Sequence, residues 1–129
     1  MKDKIKKSLY SYYFSSNKET GYKIINSFIT SFWSNTSKLN SNYDITSSFV
    51  MLIQFKKFQI MQIQYLKYDN CTDFIEKQIK ILNLCKFEYI KWMYDKNILH
   101  LKEIYKQLQI IRNYEIDVME ELRRWFNEL

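Results

Sequence analysis

The sequence contains one glycine and no proline, the two residues that most often interrupt helices and build tight turns. Glycine-rich phosphate loops, nucleophile elbows and dinucleotide-binding turns all need glycines that this chain lacks. Histidine is equally scarce, since His100 is the sole one and belongs to no motif with serine or cysteine. These absences exclude most enzyme classes. They predict a chain of long helices with no catalytic residues, no cofactor and no small-molecule substrate.

The sequence also lacks the residue patterns that are typical of metal sites and membrane spans. Cys71 and Cys85 stand fourteen positions apart with no histidine near them, which suits neither a zinc site nor a disulfide framework. We expect two buried free thiols and no bound metal. There is no run of eighteen apolar residues, and the lysine-rich start lacks the apolar stretch of a signal peptide. The sequence therefore predicts a cytoplasmic protein with no membrane partner.

What the chain does have is apolar and aromatic side chains, at 47% and 18% of its residues. This content is enough for a hydrophobic core and predicts a single helical domain over residues 1–129. The last helix, predicted over Ile98–Phe126, has the clearest pattern. Its positions 101, 104, 108, 111, 115, 118, 122, 125 and 129 follow helical spacing, and all except Glu115 are apolar. We expect Glu115 at the edge of the core, or paired with Arg112 or a backbone group.

A second helix is predicted over Thr72–Tyr94, with Thr72 as its cap. The short turn Asp95–Asn97 should make this helix and the last one antiparallel neighbours. Residues 49–68 show both strand-like alternation and helical spacing, and the lack of turn residues favours a helix. Helices over Lys4–Phe14 and Glu19–Trp33, and a Ser/Asn-rich loop at about 34–48, complete an all-α bundle of about five helices.

The formal net charge of +6 is carried entirely by residues 1–70, because acidic and basic residues are equal in number over 71–129. Such asymmetry indicates an anionic partner, although a lysine-rich composition is also what an AT-rich genome produces. Lysines interleaved with aromatic rings are typical of proteins that bind RNA or single-stranded DNA. The candidate nucleic-acid-binding residues are Lys4, Lys6, Lys7, Tyr10, Tyr12, Tyr22, Lys56 and Lys57. The scarcity of arginine counts against this hypothesis, since its planar guanidinium is the better phosphate ligand.

The first functional hypothesis is accordingly a non-enzymatic small subunit of a nucleoprotein assembly. In size, helicity and uneven basic charge the chain resembles, at the level of class only, the small subunits of multisubunit CRISPR effector complexes. The alternative is a viral, phage or pathogen protein that binds and inhibits a host or bacterial protein. Tryptophan and other large aromatics dominate interface hot spots, so the candidate interface residues are Trp33, Trp92, Trp125 and Phe126. Self-association through the helix Thr72–Tyr94 is a third hypothesis.

Overall fold

The computed structural model describes residues 2–14, 27, 29–30, 46–68 and 70–128. Within this part the chain forms four helices and no strand, which confirms the predicted all-α fold. The helices are α1 (Lys2–Phe14), α2 (Thr46–Tyr65), α3 (Thr72–Asp95) and α4 (Ile98–Glu128). The predicted count of about five is thus slightly high for the described part. The predicted helix Glu19–Trp33 lies largely outside the described residues, of which Ser27, Ile29 and Thr30 are helical.

The ambiguous stretch from 49 to 68 is helical through Tyr65, as the spacing predicted. The helix begins earlier than expected, so Thr46–Ser48 belong to α2 and not to the predicted loop, whose other residues lie outside the described part. Phe49, one turn after Thr46, is fully buried, and packing of this kind stabilises a helical turn despite the low propensity of its serines. After α2, Lys67 takes a left-handed backbone with a φ of 59°. The Tyr68 N–H then bonds to the Ile63 carbonyl at 3.2 Å and ends the helix.

The turn between α3 and α4 is built without glycine or proline. Lys96 has a left-handed backbone (φ 55°), and its N–H bonds to the Trp92 carbonyl at 2.7 Å. Asp95 Oδ1 accepts the Asn97 N–H at 2.9 Å, and Asn97 Oδ1 accepts the Leu99 N–H at 3.0 Å. The side chain of Asn97 therefore caps the start of α4.

Contacts between α3 and α4 proceed in opposite directions along the two helices. Glu88 meets His100, and further down Gln78 meets Glu115. The two helices are therefore antiparallel. One detail of the prediction is wrong: Thr72 is the first helical residue of α3, and Cys71 occupies the cap position, where its side chain makes no capping hydrogen bond. Cys71 and Cys85 are buried and neither forms a disulfide, as expected.

The core consists of two apolar clusters stacked along the bundle. The upper cluster joins the start of α2, the end of α3 and the start of α4, and it includes Ile29. The lower cluster joins α1, the end of α2, the start of α3 and the end of α4. The predicted apolar positions of α4 are buried from 101 to 122; Trp125 is half-buried and Leu129 lies outside the described residues. The buried members of these two clusters, in chain order, are Leu9, Tyr13, Ile29, Phe49, Ile53, Ile63, Cys71, Ile75, Leu82, Cys85, Tyr89, Trp92, Leu101, Ile104, Leu108, Ile111, Val118 and Leu122.

A layer of polar side chains lies in the core at the level where all four helices meet. Its centre is an ion pair between Lys56 of α2 and Glu115 of α4, both fully buried. The Tyr12 hydroxyl donates to Glu115 Oε2 at 3.0 Å, and the Tyr13 hydroxyl lies 3.2 Å from Glu115 Oε1. Gln78 Nε2 donates to the same carboxylate at 3.4 Å. Glu115 was predicted at the edge of the core, or paired with Arg112 or a backbone group; this prediction is wrong, because Glu115 is fully buried and its partner Lys56 comes from another helix.

Burial shifts the pKa values within this polar layer. Loss of solvent lowers the pKa of Lys56, and the attraction of Glu115 opposes that shift. The pKa values of Tyr12 and Tyr13 are raised well above their usual value by burial and by the Glu115 carboxylate. Both phenols therefore remain protonated and serve as donors to Glu115. Donors from α1 and α3 and the ammonium of α2 converge on one side chain of α4, which fixes the helices relative to one another.

Removing one partner of the buried pair should leave the other charge uncompensated in the core. We expect Glu115→Ala to lower the free energy of unfolding by about 3–5 kcal/mol. The variant Lys56→Met/Glu115→Gln removes both charges but keeps an acceptor for the tyrosines, so it should be less destabilised than Glu115→Ala. Urea denaturation followed by circular dichroism measures both. The control is Glu120→Ala on the exposed face of α4, expected to change stability by less than about 0.5 kcal/mol. Equal stability of Glu115→Ala and this control would contradict the structural role.

Candidate functional site

A groove lies between α1 and the last turns of α4. Lys6, Lys7, Tyr10, Ser11 and Phe126 line a cavity of about 350 Å³. A second cavity of about 230 Å³ shares two of these rings. It is lined by Tyr10, Phe14, Arg123, Phe126 and Asn127. We call the combined feature the basic aromatic groove, defined by Lys6, Lys7, Tyr10, Phe14, Arg123 and Phe126.

The amphipathic pattern of the two helices positions the groove. In α1, Leu9 and Tyr13 are buried in the lower cluster, which holds one face of the helix against the core. Lys6 and Tyr10 are one turn apart and line the groove beside that buried face. In α4, Leu122 is buried and Phe126 follows one turn later at the edge of the core. The groove therefore forms where the edge of the buried face of α1 meets the edge of the buried face of α4.

Three aromatic rings form the floor of the groove. The Tyr10 and Phe126 centroids are 5.7 Å apart with the ring planes at 76°, and those of Phe14 and Phe126 are 6.0 Å apart at 83°. Such edge-to-face contacts are the favoured geometry for aromatic pairs. Tyr10 still leaves 54% of its surface exposed. A planar ligand thus has access to an aromatic surface that the fold already holds in place.

Two of the three cations of the groove lie over aromatic rings. Lys6 Nζ lies 5.7 Å from the Trp125 ring, and the Arg123 guanidinium lies 5.6 Å from the Phe14 ring. Lys7 is exposed. None of the three cations forms an ion pair with any described residue, whereas the neighbouring Arg124 is paired with Glu121 at 2.9 Å. The positive charge of the groove is therefore available to an anion.

Of the predicted nucleic-acid-binding residues, the structure brings Lys6, Lys7 and Tyr10 together. Lys4 and Lys57 are exposed but do not line the groove, and Tyr22 lies outside the described residues. The structure corrects the predicted role of Lys56, because its ammonium is buried in the core and bound to Glu115, out of reach of a phosphate.

Tyr12 also requires correction as a stacking residue. Its hydroxyl is bound to Glu115, and its ring packs against Tyr13 at 4.6 Å and Phe55 at 5.1 Å. The ring is thus held within the bundle and is not offered to a base.

The predicted protein-interface residues are mostly built into the fold. Trp92 is buried on the core face of α3 and stacks on Tyr89, with centroids 5.6 Å apart, so its assignment as an exposed anchor is wrong. Trp125 is half-buried and stacks on Tyr68 at 4.6 Å. Phe126 belongs to the basic aromatic groove, and Trp33 lies outside the described residues.

Arg123 and Phe14 were missed as site residues. In the sequence Arg123 stands beside Arg124 and directly after Glu120, Glu121 and Leu122, a pattern typical of surface charges that neutralise one another. The structure shows that the two arginines differ, because only Arg124 pairs with an acid of α4 among the described residues. Arg123 lies on the side of the helix that faces α1, a fact that depends on how the helices pack.

The structure shows little other chemistry in the described residues. Burial raises the pKa of the Cys85 thiol to about 12, so this thiol is protonated and unreactive. No three His, Cys, Asp or Glu side chains in the described part are grouped to hold a metal ion. No helix in that part is long and apolar enough to cross a bilayer.

No family model matches the chain, and no curated protein or solved structure is significantly similar to it.

His100 links the two longest helices near their connecting turn. Its Nδ1 lies 2.8 Å from Glu88 Oε2, and its Nε2 lies 3.0 Å from Asp95 Oδ2. Contact of both ring nitrogens with carboxylates requires two N–H donors, which only the imidazolium provides. Hydrogen bonds to Asp95 and Glu88 accordingly raise the pKa of His100 above its usual value. His100 thus joins the start of α4 to the last turns of α3.

This raised pKa predicts a pH dependence of stability. The folded chain binds the proton more tightly than the unfolded chain, so the stabilisation is complete below about pH 6.5 and is lost as the pH rises through the folded pKa of His100. Urea midpoints measured from pH 5.5 to 8.5 should therefore fall over that window. The His100→Asn variant is the control and should lack this fall. Parallel pH profiles for the two proteins would contradict the assignment.

Proposed function

We propose that this chain is a non-enzymatic helical subunit of a nucleoprotein assembly, and that it binds RNA or single-stranded DNA in the basic aromatic groove. The observation that carries the proposal is that Lys6, Lys7 and Arg123 converge on a preformed aromatic surface. None of these three cations forms an ion pair with an acidic residue in the part of the chain that the structure describes. Proteins that bind single strands combine such charge, which follows the phosphates, with rings on which the bases stack. No reaction is needed for this role.

The arrangement within the groove suits a strand that passes across it. Lys6 and Lys7 line one cavity and Arg123 lines the other, while Tyr10 and Phe126 are common to both. Phosphates bound at the two ends would place a base over the shared rings. A paired duplex hides the faces of its bases, so the groove favours unpaired nucleotides. Contacts of this kind involve backbone and ring faces, and binding should depend little on base sequence.

Charge removal in the groove should reduce both affinity and its salt dependence. Each phosphate contact on a single strand contributes a slope of about −0.7 to the plot of log K against log salt, so three cations give about −2. We expect Lys6→Gln/Lys7→Gln/Arg123→Gln to lose most of this slope. Fluorescence anisotropy with a labelled oligouridylate measures it. The matched control removes three exposed cations outside the groove, Lys80, Lys102 and Lys106, and should keep most of the slope.

Two outcomes would overturn the nucleic-acid proposal. One is oligonucleotide binding that persists in the groove variant at high salt. The other is an equal loss of affinity in the groove variant and its control, because a diffuse surface charge would produce that result. Either outcome would favour the alternative, in which the chain acts through a protein partner.

Stacking should be separable from charge. We expect Tyr10→Leu to weaken oligonucleotide binding by roughly 1–3 kcal/mol, the usual loss for one stacked base, while leaving the salt slope unchanged. Tyr10 is largely exposed, so the fold should tolerate the change. The control is Tyr94→Leu at the opposite end of the bundle, where the side chain is 92% exposed. If both variants bind like the unmodified chain, the rings of the groove do not contact bases.

A further inference from the structure

The helix α2 carries a second apolar surface on the side away from the core. Its members are all exposed to solvent in the structure: Met51, Phe55, Phe58, Met61 and Tyr65. Met51 is 72% exposed and Phe58 is 55% exposed. We call this surface the α2 stripe. It lies opposite the buried residues Phe49, Ile53 and Ile63, so α2 is apolar on two faces.

The α2 stripe is nearly free of charge. The whole helix contains two charged residues, and one of them, Lys56, is buried in the core ion pair. Lys57 is thus the one exposed charge on α2. An apolar helix face is normally covered by a neighbour, and exposed apolar surfaces of this extent mark interaction sites.

The spacing of the α2 stripe is symmetric about its centre. The intervals between successive members are four, three, three and four residues, with Phe58 in the middle. Two α2 helices placed antiparallel about Phe58 would set Met51 opposite Tyr65 and Phe55 opposite Met61. Every pair away from the axis would then join a methionine to an aromatic ring, a favourable contact. A parallel arrangement would instead pair identical residues and align the two helix dipoles unfavourably.

The area of the α2 stripe is close to what a dimer requires. The exposed parts of its side chains, with the adjoining Val50, amount to about three whole large side chains, or roughly 600 Å² on each copy. Specific interfaces bury about 1,200–2,000 Å² over both partners. With Val50 included, the α2 stripe reaches the lower end of that range, and Gln54 and Gln62 on the same face of the helix would add polar area.

We infer that the α2 stripe is a homodimer interface, in which α2 packs antiparallel against α2 of a second copy about a twofold axis at Phe58. This inference is independent of the proposed nucleic-acid binding. It also places self-association on a different helix from the one that the sequence indicated. Because the chain carries a net charge of +6, two copies repel at low salt. The dimer should therefore strengthen with salt, opposite to oligonucleotide binding.

Sedimentation velocity of the full chain over a concentration series tests the interface. We expect a monomer–dimer equilibrium and at least about a tenfold weakening of it in Phe58→Glu, which places two carboxylates together at the axis. The matched control is Phe87→Glu on the outer face of α3, where the phenyl ring is 57% exposed and similarly accessible. It should dimerise like the unmodified chain. A chain that stays monomeric throughout the series, or equal effects of the two substitutions, would overturn the inference.

Cysteine cross-linking tests the antiparallel arrangement. In this geometry residue 51 of one copy lies beside residue 65 of the other, while the two copies of residue 51 are about 21 Å apart along the helix axis. A mixture of Met51→Cys and Tyr65→Cys chains should form a mixed disulfide under mild oxidation faster than either variant forms a disulfide with itself. The native thiols are buried and should not interfere. Preferential cross-linking of each variant to itself would overturn the antiparallel arrangement.

Discussion

The ion pair between Lys56 and Glu115 is the interaction on which the arrangement of the bundle depends. Two opposite charges in an apolar interior lose a large amount of hydration energy, and only close pairing with further hydrogen bonds offsets that loss. Here the compensation comes from all four helices, because Glu115 of α4 receives Tyr12 from α1, Lys56 from α2 and Gln78 from α3. A shift of any helix by one turn would separate a buried charge from its partner. The polar layer thus selects one arrangement from the many that a purely apolar core would tolerate.

The basic aromatic groove depends on this layer through α1. A helix of thirteen residues is marginal in water by itself and must obtain its stability from contacts. Leu9 supplies an apolar contact, and Tyr12 and Tyr13 supply directional bonds to Glu115. Those bonds set the rotation of α1, and that rotation brings Tyr10 against Phe126 of α4. The surface proposed to bind nucleic acid is in this way held by residues that never touch the ligand.

The sequence predicted burial best where the pattern of buried positions can be read from the residues of a single helix. The start of α4 at Ile98 and its buried apolar positions from 101 to 122 follow from periodicity alone, and these were predicted correctly, whereas the burial of Glu115 was not. Lys56 is a residue for which the prediction from sequence failed. Composition treats Lys56 and Lys57 alike, yet the first is in helical phase with Phe49, Ile53 and Ile63 and the second is not. That phase was a usable signal for burial. The partner was not readable, since Glu115 is 59 positions away and only packing brings the two together. The same limit hid Arg123, whose role depends on the approach of α1.

The near absence of glycine affects the two chain reversals that lie between the described helices α2, α3 and α4. Lys67 follows α2 and Lys96 follows α3, and both take the positive φ that glycine usually supplies after a helix. Each costs about 1–2 kcal/mol of backbone strain. A lysine in that place also carries its positive charge on the residue that follows the helix, where the helix dipole favours cations, and this offsets part of the cost. At these two reversals the chain therefore accepts backbone strain and gains a favourable charge at the helix end. A glycine at either position would remove both the strain and the charge.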